Sequence, residues 1–131
     1  MTALDTNVLV RFLVEDDSEQ TERAAALIEK AVTAEERLYV SDIVLCEVVW
    51  VLGGAYGFRK VEVTTVLSEL TRARHLRFDS SDRIARSVRA FSGGHGDFAD
   101  YLIREHARAA GCDHVATFDR ALLKDEDFAS P

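Results

Sequence analysis

The chain has 131 residues, 47% of them hydrophobic, and a formal charge of −7 at pH 7. That is enough apolar material for one well-filled core and too little chain for two ordinary domains, so a single domain over residues 1–131 is expected. The acidic balance excludes a nucleic-acid binder that works by bulk attraction, which needs clustered Lys and Arg. No apolar run is long enough to span a membrane, and the N-terminal MTALDTNVLVRFLVEDD carries an acid where a signal peptide needs a basic region. A cytoplasmic protein is the expectation. Cys46 and Cys112 belong to no CxxC pair and read as two reduced, buried thiols.

In chain order, strand and helix alternate. ALD (Ala3 to Asp5) closes a short apolar strand, and Asn7 to Leu13 reads as a brief helix. The acidic run Glu15 to Asp17 reads as a solvated turn. Ala24, Leu27, Ile28 and Ala31 have the spacing of a second helix, and RLYVS is a short strand. Ser41 or Asp42 can cap a third helix, IVLCEVVWVLGGAY, which ends near its glycines. Trp50, Tyr56 and Phe58, near its end, read as core or dimer packing. Val63, Val66, Leu67 and Leu70 mark a fourth helix, HLRFD a strand, and Ile84, Ala85, Val88 and Phe91 a fifth helix. Along that fifth helix Arg83, Arg86 and Arg89 recur every three residues and share one broad face, either a solvated surface or a phosphate contact. Phe98 to Ala110 is a sixth helix stopped by Gly111, and HVATFD is the last clear strand. The tail ALLKDEDFASP leaves any further strand hard to place. Alternation without hairpin signals predicts an α/β fold: a short central parallel sheet flanked by helices, in three α/β/α layers.

Several carboxylates fall in places that call for a reason. Asp5 and Asp119 each follow an apolar strand directly, which in an open parallel sheet is the edge where ligands collect; either could also cap the next helix. Glu47 is the one charged residue between Ile43 and Tyr56, among Val44, Val48, Val51 and Leu52, which are expected to be largely buried. A carboxylate there must pair, protonate or meet a cation. In GGHGDFADYLI, Asp97 and Asp100 stand three apart at the entry to the sixth helix, where an N-cap and a dipole partner are the plain explanation. If Asp5, Glu47, Asp100 and Asp119 converge, their mutual repulsion demands a hard divalent cation, and an oxygen-only set suits Mg²⁺ or Mn²⁺ rather than Zn²⁺. Metal-assisted phosphodiester hydrolysis is the matching chemistry. No GxxxxGK[ST] loop occurs, and His75, His95, His106 and His114 show no ligand spacing.

The segments LDTNVLVRFL, SDIVLCEVVWVL, GDFADYLIREHARAAG and VATFDRAL resemble, in order and spacing, the four motifs of PIN domains, particularly the VapC-type toxin ribonucleases. The resemblance spans almost the whole chain. It implies metal and catalytic roles for Asp5, Glu47, Asp100 and Asp119, with Thr6, Asn7 and Thr117 as auxiliary residues. Asp97 is either an N-cap or an auxiliary carboxylate beside the ligands. It further implies a Mg²⁺-dependent endoribonuclease acting on structured RNA, a homodimer, and a cognate antitoxin that offers an Arg to the acids. Two alternatives remain open: a PIN-type nuclease of RNA processing outside any toxin pair, and a catalytically idle domain that binds RNA or protein. A receiver-like phosphoacceptor is disfavoured, since neither its middle-strand Asp nor its late Lys is evident.

Overall fold

The computed structural model describes residues 1–16 and 18–131. Glu15 and Asp16 of the expected acidic turn are exposed, and Asp17 lies outside the described residues. The chain forms two compact units, Met1–Asp79 and Ser80–Pro131.

In the first unit, β1 (Thr2–Ala3), β2 (Leu38–Tyr39) and β3 (Leu76–Arg77) pair in parallel in the order β1-β2-β3. The register sets Thr2 opposite Leu38 and Leu38 opposite Leu76. Parallel neighbours need long crossovers, and here helix pairs supply them. α1 (Thr6–Leu13) and α2 (Glu19–Thr33) join β1 to β2; α3 (Asp42–Gly54) and α4 (Lys60–Arg72) join β2 to β3. α1 packs on α2 and α3, and α3 on α4. Leu9, Val40, Leu45 and Val48 are wholly buried at the centre of this unit, each such side chain worth about 1.5–3 kcal/mol of removal from water.

The second unit begins with α5 (Ser81–Gly93) packed on α6 (Phe98–Ala109), where the rings of Phe91 and Phe98 meet edge to face at 6.2 Å. Gly111 ends α6 with φ +89°, a conformation only glycine adopts freely. β4 (Val115–Ala116) then pairs in parallel with β5 (Phe128–Ala129). Between them runs a short 3₁₀ turn, Leu122–Lys124. β5 is the strand that the tail hid: Phe128 is buried, while the acids before it read as solvated chain.

Among the described residues the α/β class, the six α-helices and the parallel pairing agree with the alternation read from the sequence. Two expectations about burial do not hold. Trp50 and Tyr56 are exposed rather than core, and Phe58 is half-buried. Cys112 is exposed, and Cys46 is only half-buried. The cause at Trp50 lies in α3, which is apolar on nearly every side in sequence. Leu45, Val48, Val49 and Leu52 take the buried stripe, and Ile43, Glu47 and Trp50 fall on the opposite one.

Candidate functional site

Asp5 stands just beyond β1, as the N-cap of α1, with extended backbone angles and its Oδ1 accepting the Thr6 N–H at 2.8 Å. Thr6 is buried, and its hydroxyl donates to Glu47 Oε2 at 3.1 Å. One residue thus ties the acid at the end of β1 to the acid of α3. Of its neighbours, Val48 and Leu52 are buried and Val44 and Val51 half-buried, as expected, but Glu47 itself is exposed, so the expectation that its carboxylate must offset a burial penalty is corrected. The partner found for it is a neutral hydroxyl instead of a structural cation. Ser41 sets where α3 starts, its Oγ accepting the Val44 N–H at 3.2 Å, and so fixes where Glu47 falls. Burial, with the charges of Asp42 and Glu47, pushes the neighbouring Cys46 thiol up to about 11. Asn7 is exposed and lines a cavity of about 430 Å³ with Arg11 of α1 and Arg23 of α2.

In the second unit Asp97 is the N-cap of α6, and Asp100 occupies the third helical position. The pair forms a capping box: the Asp97 N–H donates to Asp100 Oδ2 at 2.8 Å, and the Asp97 side chain turns back to the Asp100 amide. Burial raises the Asp100 carboxyl above its ordinary value; the Asp97 amide works against this, and the negative charges of Asp97 and Asp119 add to it. Asp119 stands beyond β4. Its Oδ1 accepts the Ala121 N–H at 2.9 Å, while its own N–H donates to Thr117 Oγ1 at 3.0 Å. Asp5 is therefore a helix cap and Asp119 closes a local turn, and each engages one carboxylate oxygen and leaves the other as a candidate ligand.

Arg86 of the expected phosphate-contacting face meets buried Glu105 at 3.1 Å, and Arg89 is exposed. Sequence reasoning missed Tyr101 and Asp125. The Tyr101 hydroxyl donates to Asp125 Oδ2, and His95 contacts the same carboxylate through its backbone N–H and Nδ1. Asp125 lies in KDEDF, where nothing separates it from its solvated neighbours.

Asp5 and Glu47 belong to the first unit and Asp97, Asp100 and Asp119 to the second. Among the described residues no three or more His, Cys, Asp or Glu side chains form a group that could hold a metal ion as placed. Each of these acids taken by itself suits a hard cation: it offers carboxylate oxygens alone, one of them anchored by a neutral donor, and at Asp100 burial first, then the charges of Asp97 and Asp119, weigh against an uncompensated negative charge. The sequence pattern of the PIN domain matches residues 2–127. The chain belongs to the PIN domain family. The matched span runs through both units of this PIN domain. A VapC ribonuclease of Aquifex aeolicus (strain VF5) is similar to it, 26% identical over 124 residues that cover 95% of this chain and 91% of the relative. No helix among the described residues of this PIN domain is long and apolar enough to cross a membrane.

Proposed function

We propose that this protein is a metal-dependent endoribonuclease, the toxin of a toxin–antitoxin pair, with Mg²⁺ as its ion and Mn²⁺ as a working substitute. The observation that carries the reading is the state of the four acids. Asp5, Glu47, Asp100 and Asp119 each have one oxygen fixed by a neutral N–H or O–H, which leaves the other for a cation. The family and its VapC-named relative support the same reading. When bound, the ion supplies activation of water and neutralisation of the charge developing on the phosphate.

The protein's own part is orientation. Thr6 orients Asp5 through its amide and Glu47 through its hydroxyl; the Ala121 amide orients the Asp119 carboxylate, while Thr117 accepts the Asp119 backbone N–H. Asp97 keeps Asp100 in place through the capping box. RNA is the substrate, with Arg83, Arg86 and Arg89 on α5 as the contact face; because Glu105 already holds Arg86, Arg89 is the stronger contributor. The protein works as a single PIN domain in the cytoplasm and as a homodimer, for which exposed Ile43 and Trp50 of α3 offer apolar surface. A cognate antitoxin would present an Arg to the acids, since a guanidinium matches a carboxylate in charge and geometry.

The test is cleavage of structured RNA by the purified protein with Mg²⁺, with Mn²⁺ and with excess EDTA. Cleavage with either ion and none in EDTA is expected; cleavage that persists in EDTA overturns the metal reading. Growth arrest on expression, relieved by the product of a neighbouring small reading frame, separates a toxin from a nuclease of RNA processing.

A further inference from the structure

In the loop that delivers α6, Gly94 to Asp97, the Gly94 N–H goes to the Phe91 carbonyl, and the three backbone N–H groups that follow are each taken by a side chain. The His95 N–H goes to Asp125 Oδ2 at 3.3 Å, the Gly96 N–H to the Tyr101 hydroxyl at 2.9 Å, and the Asp97 N–H to Asp100 Oδ2 at 2.8 Å. The acceptors are themselves linked. Tyr101 donates its own proton to Asp125 Oδ2, and His95 Nδ1 lies 3.2 Å from Asp125 Oδ1.

Tyr101 is a rigid post for this arrangement. It is 1% exposed, stands edge-on to Phe128 at 6.2 Å, and carries the Arg104 guanidinium 5.2 Å from its ring centre. Gly96 completes it, because a Cβ there would come within 2.9 Å of Asp100 Oδ2 and into the Leu122 side chain. A larger residue at this place would have to push Leu122 Cδ2 and Asp100 Oδ2 aside.

We propose that Tyr101 and Asp125 are positioning residues for Asp100: they clasp the loop so that the Asp97 amide keeps one Asp100 oxygen and the other is held ready for the divalent cation. The inference rests on the metal-dependent reading above and adds to it two residues outside the acidic set. A buried hydroxyl that serves a structural role alone would fix the loop without any effect on ion affinity; a positioning role ties the two together.

The experiment uses the full chain without metal, then Mn²⁺ alone as the probe. Amide hydrogen exchange at His95, Gly96 and Asp97 is followed by NMR, and Mn²⁺ affinity by calorimetry, for the wild type, Tyr101→Phe, Asp125→Asn, Asp125→Ala and Tyr101→Phe with Asp125→Ala. Tyr101→Phe keeps the ring and its packing, and the Asp125 variants alter a connection between the 3₁₀ turn and β5, so at least one arm stays folded.

The expected result is exchange at Gly96 about tenfold faster in Tyr101→Phe, the size of one lost hydrogen bond, with Mn²⁺ affinity about five- to tenfold weaker. Asp125→Asn, which keeps one acceptor oxygen, should recover part of the affinity that Asp125→Ala loses. The double variant should be no weaker than the worse single one, as for residues acting through one network. Faster exchange with unchanged Mn²⁺ affinity overturns the proposal, as does unchanged exchange. A wild-type protein that takes up no Mn²⁺ overturns the metal-dependent reading and this inference with it; normal wild-type uptake with unaltered variants overturns this inference alone.

Discussion

Asp97 and Asp100 share one capping box but are asked to do different work. Asn at Asp97 still accepts the hydrogen bond that a cap provides, so Asp97→Asn should keep cleavage within roughly tenfold of the wild type, about 1.4 kcal/mol in transition-state terms. Asp100→Asn should lose at least about a hundredfold, because a neutral oxygen binds a hard cation poorly. Mg²⁺ titration of both variants checks the pair; loss of metal response at Asp97 with retention at Asp100 would reverse their roles. The raised Asp100 carboxyl also makes a stability prediction without metal. A carboxyl whose folded value lies above 3.8 helps the fold fully below that pH, and the help is lost as pH rises through the folded value. The metal-free Asp100→Asn variant should therefore melt above the wild type at pH 7, and the gap should close on acidification. Asp100 is only half-buried, so solvent keeps the gain below about 1 kcal/mol. For Glu47, exposure changes the expected cost. Glu47→Gln strands no buried cation and can still accept the Thr6 hydroxyl, so its stability should stay within about 0.5 kcal/mol while cleavage falls at least about a hundredfold. Thermal melts and single-turnover cleavage on the same preparation measure both.

The pairing of α5 with α6 carries its own electrostatic lock. The Glu105 side chain is 4% exposed and meets Arg86 at 3.1 Å and Arg108 at 3.4 Å; Arg108 also meets Asp127 at 2.7 Å. Removing one partner of a fully buried pair costs about 3–5 kcal/mol, but these guanidinium groups are a third to a half exposed, and Arg108 keeps Asp127. Glu105→Ala is therefore expected to cost about 2 kcal/mol and Arg86→Ala, which leaves Glu105 with Arg108, about 1 kcal/mol. Urea unfolding curves with unchanged slope would measure these differences. A smaller loss for Glu105→Ala than for Arg86→Ala would contradict the assignment of Glu105 as the centre of the lock.

Across the whole molecule, what the sequence disclosed follows from how each signal arises. Helices α2, α4, α5 and α6 were legible because their apolar residues recur at three and four, and the buried sets Val63, Leu67, Leu70 and Ile84, Val88, Phe91 keep that spacing. The acids at the ends of β1 and β4 were legible because a strand that stops at an Asp leaves a short pattern. Glu47's exposure was not, since α3 is apolar on both faces and periodicity cannot say which one the core takes. β5 escaped because its two residues stand between the acidic KDED and Ser-Pro, with no apolar run around them such as VATF gives β4. The links from Asp125 to His95 and Tyr101 span 30 and 24 residues, and no local pattern reports contacts of that range. The division of the acids between two units was equally invisible, since motif order along a chain is silent about compactness.

The two cysteines differ in a way that can be put to use. With burial and the charges of Asp42 and Glu47 raising its thiol to about 11, Cys46 stays protonated at neutral pH, and it is half-buried. Cys112 lies open to solvent just past the end of α6. An alkylating dye should thus mark Cys112 first and alone, giving a singly labelled protein without mutagenesis. Slow labelling of Cys46 would then act as a clock for the opening of the helix that carries Glu47.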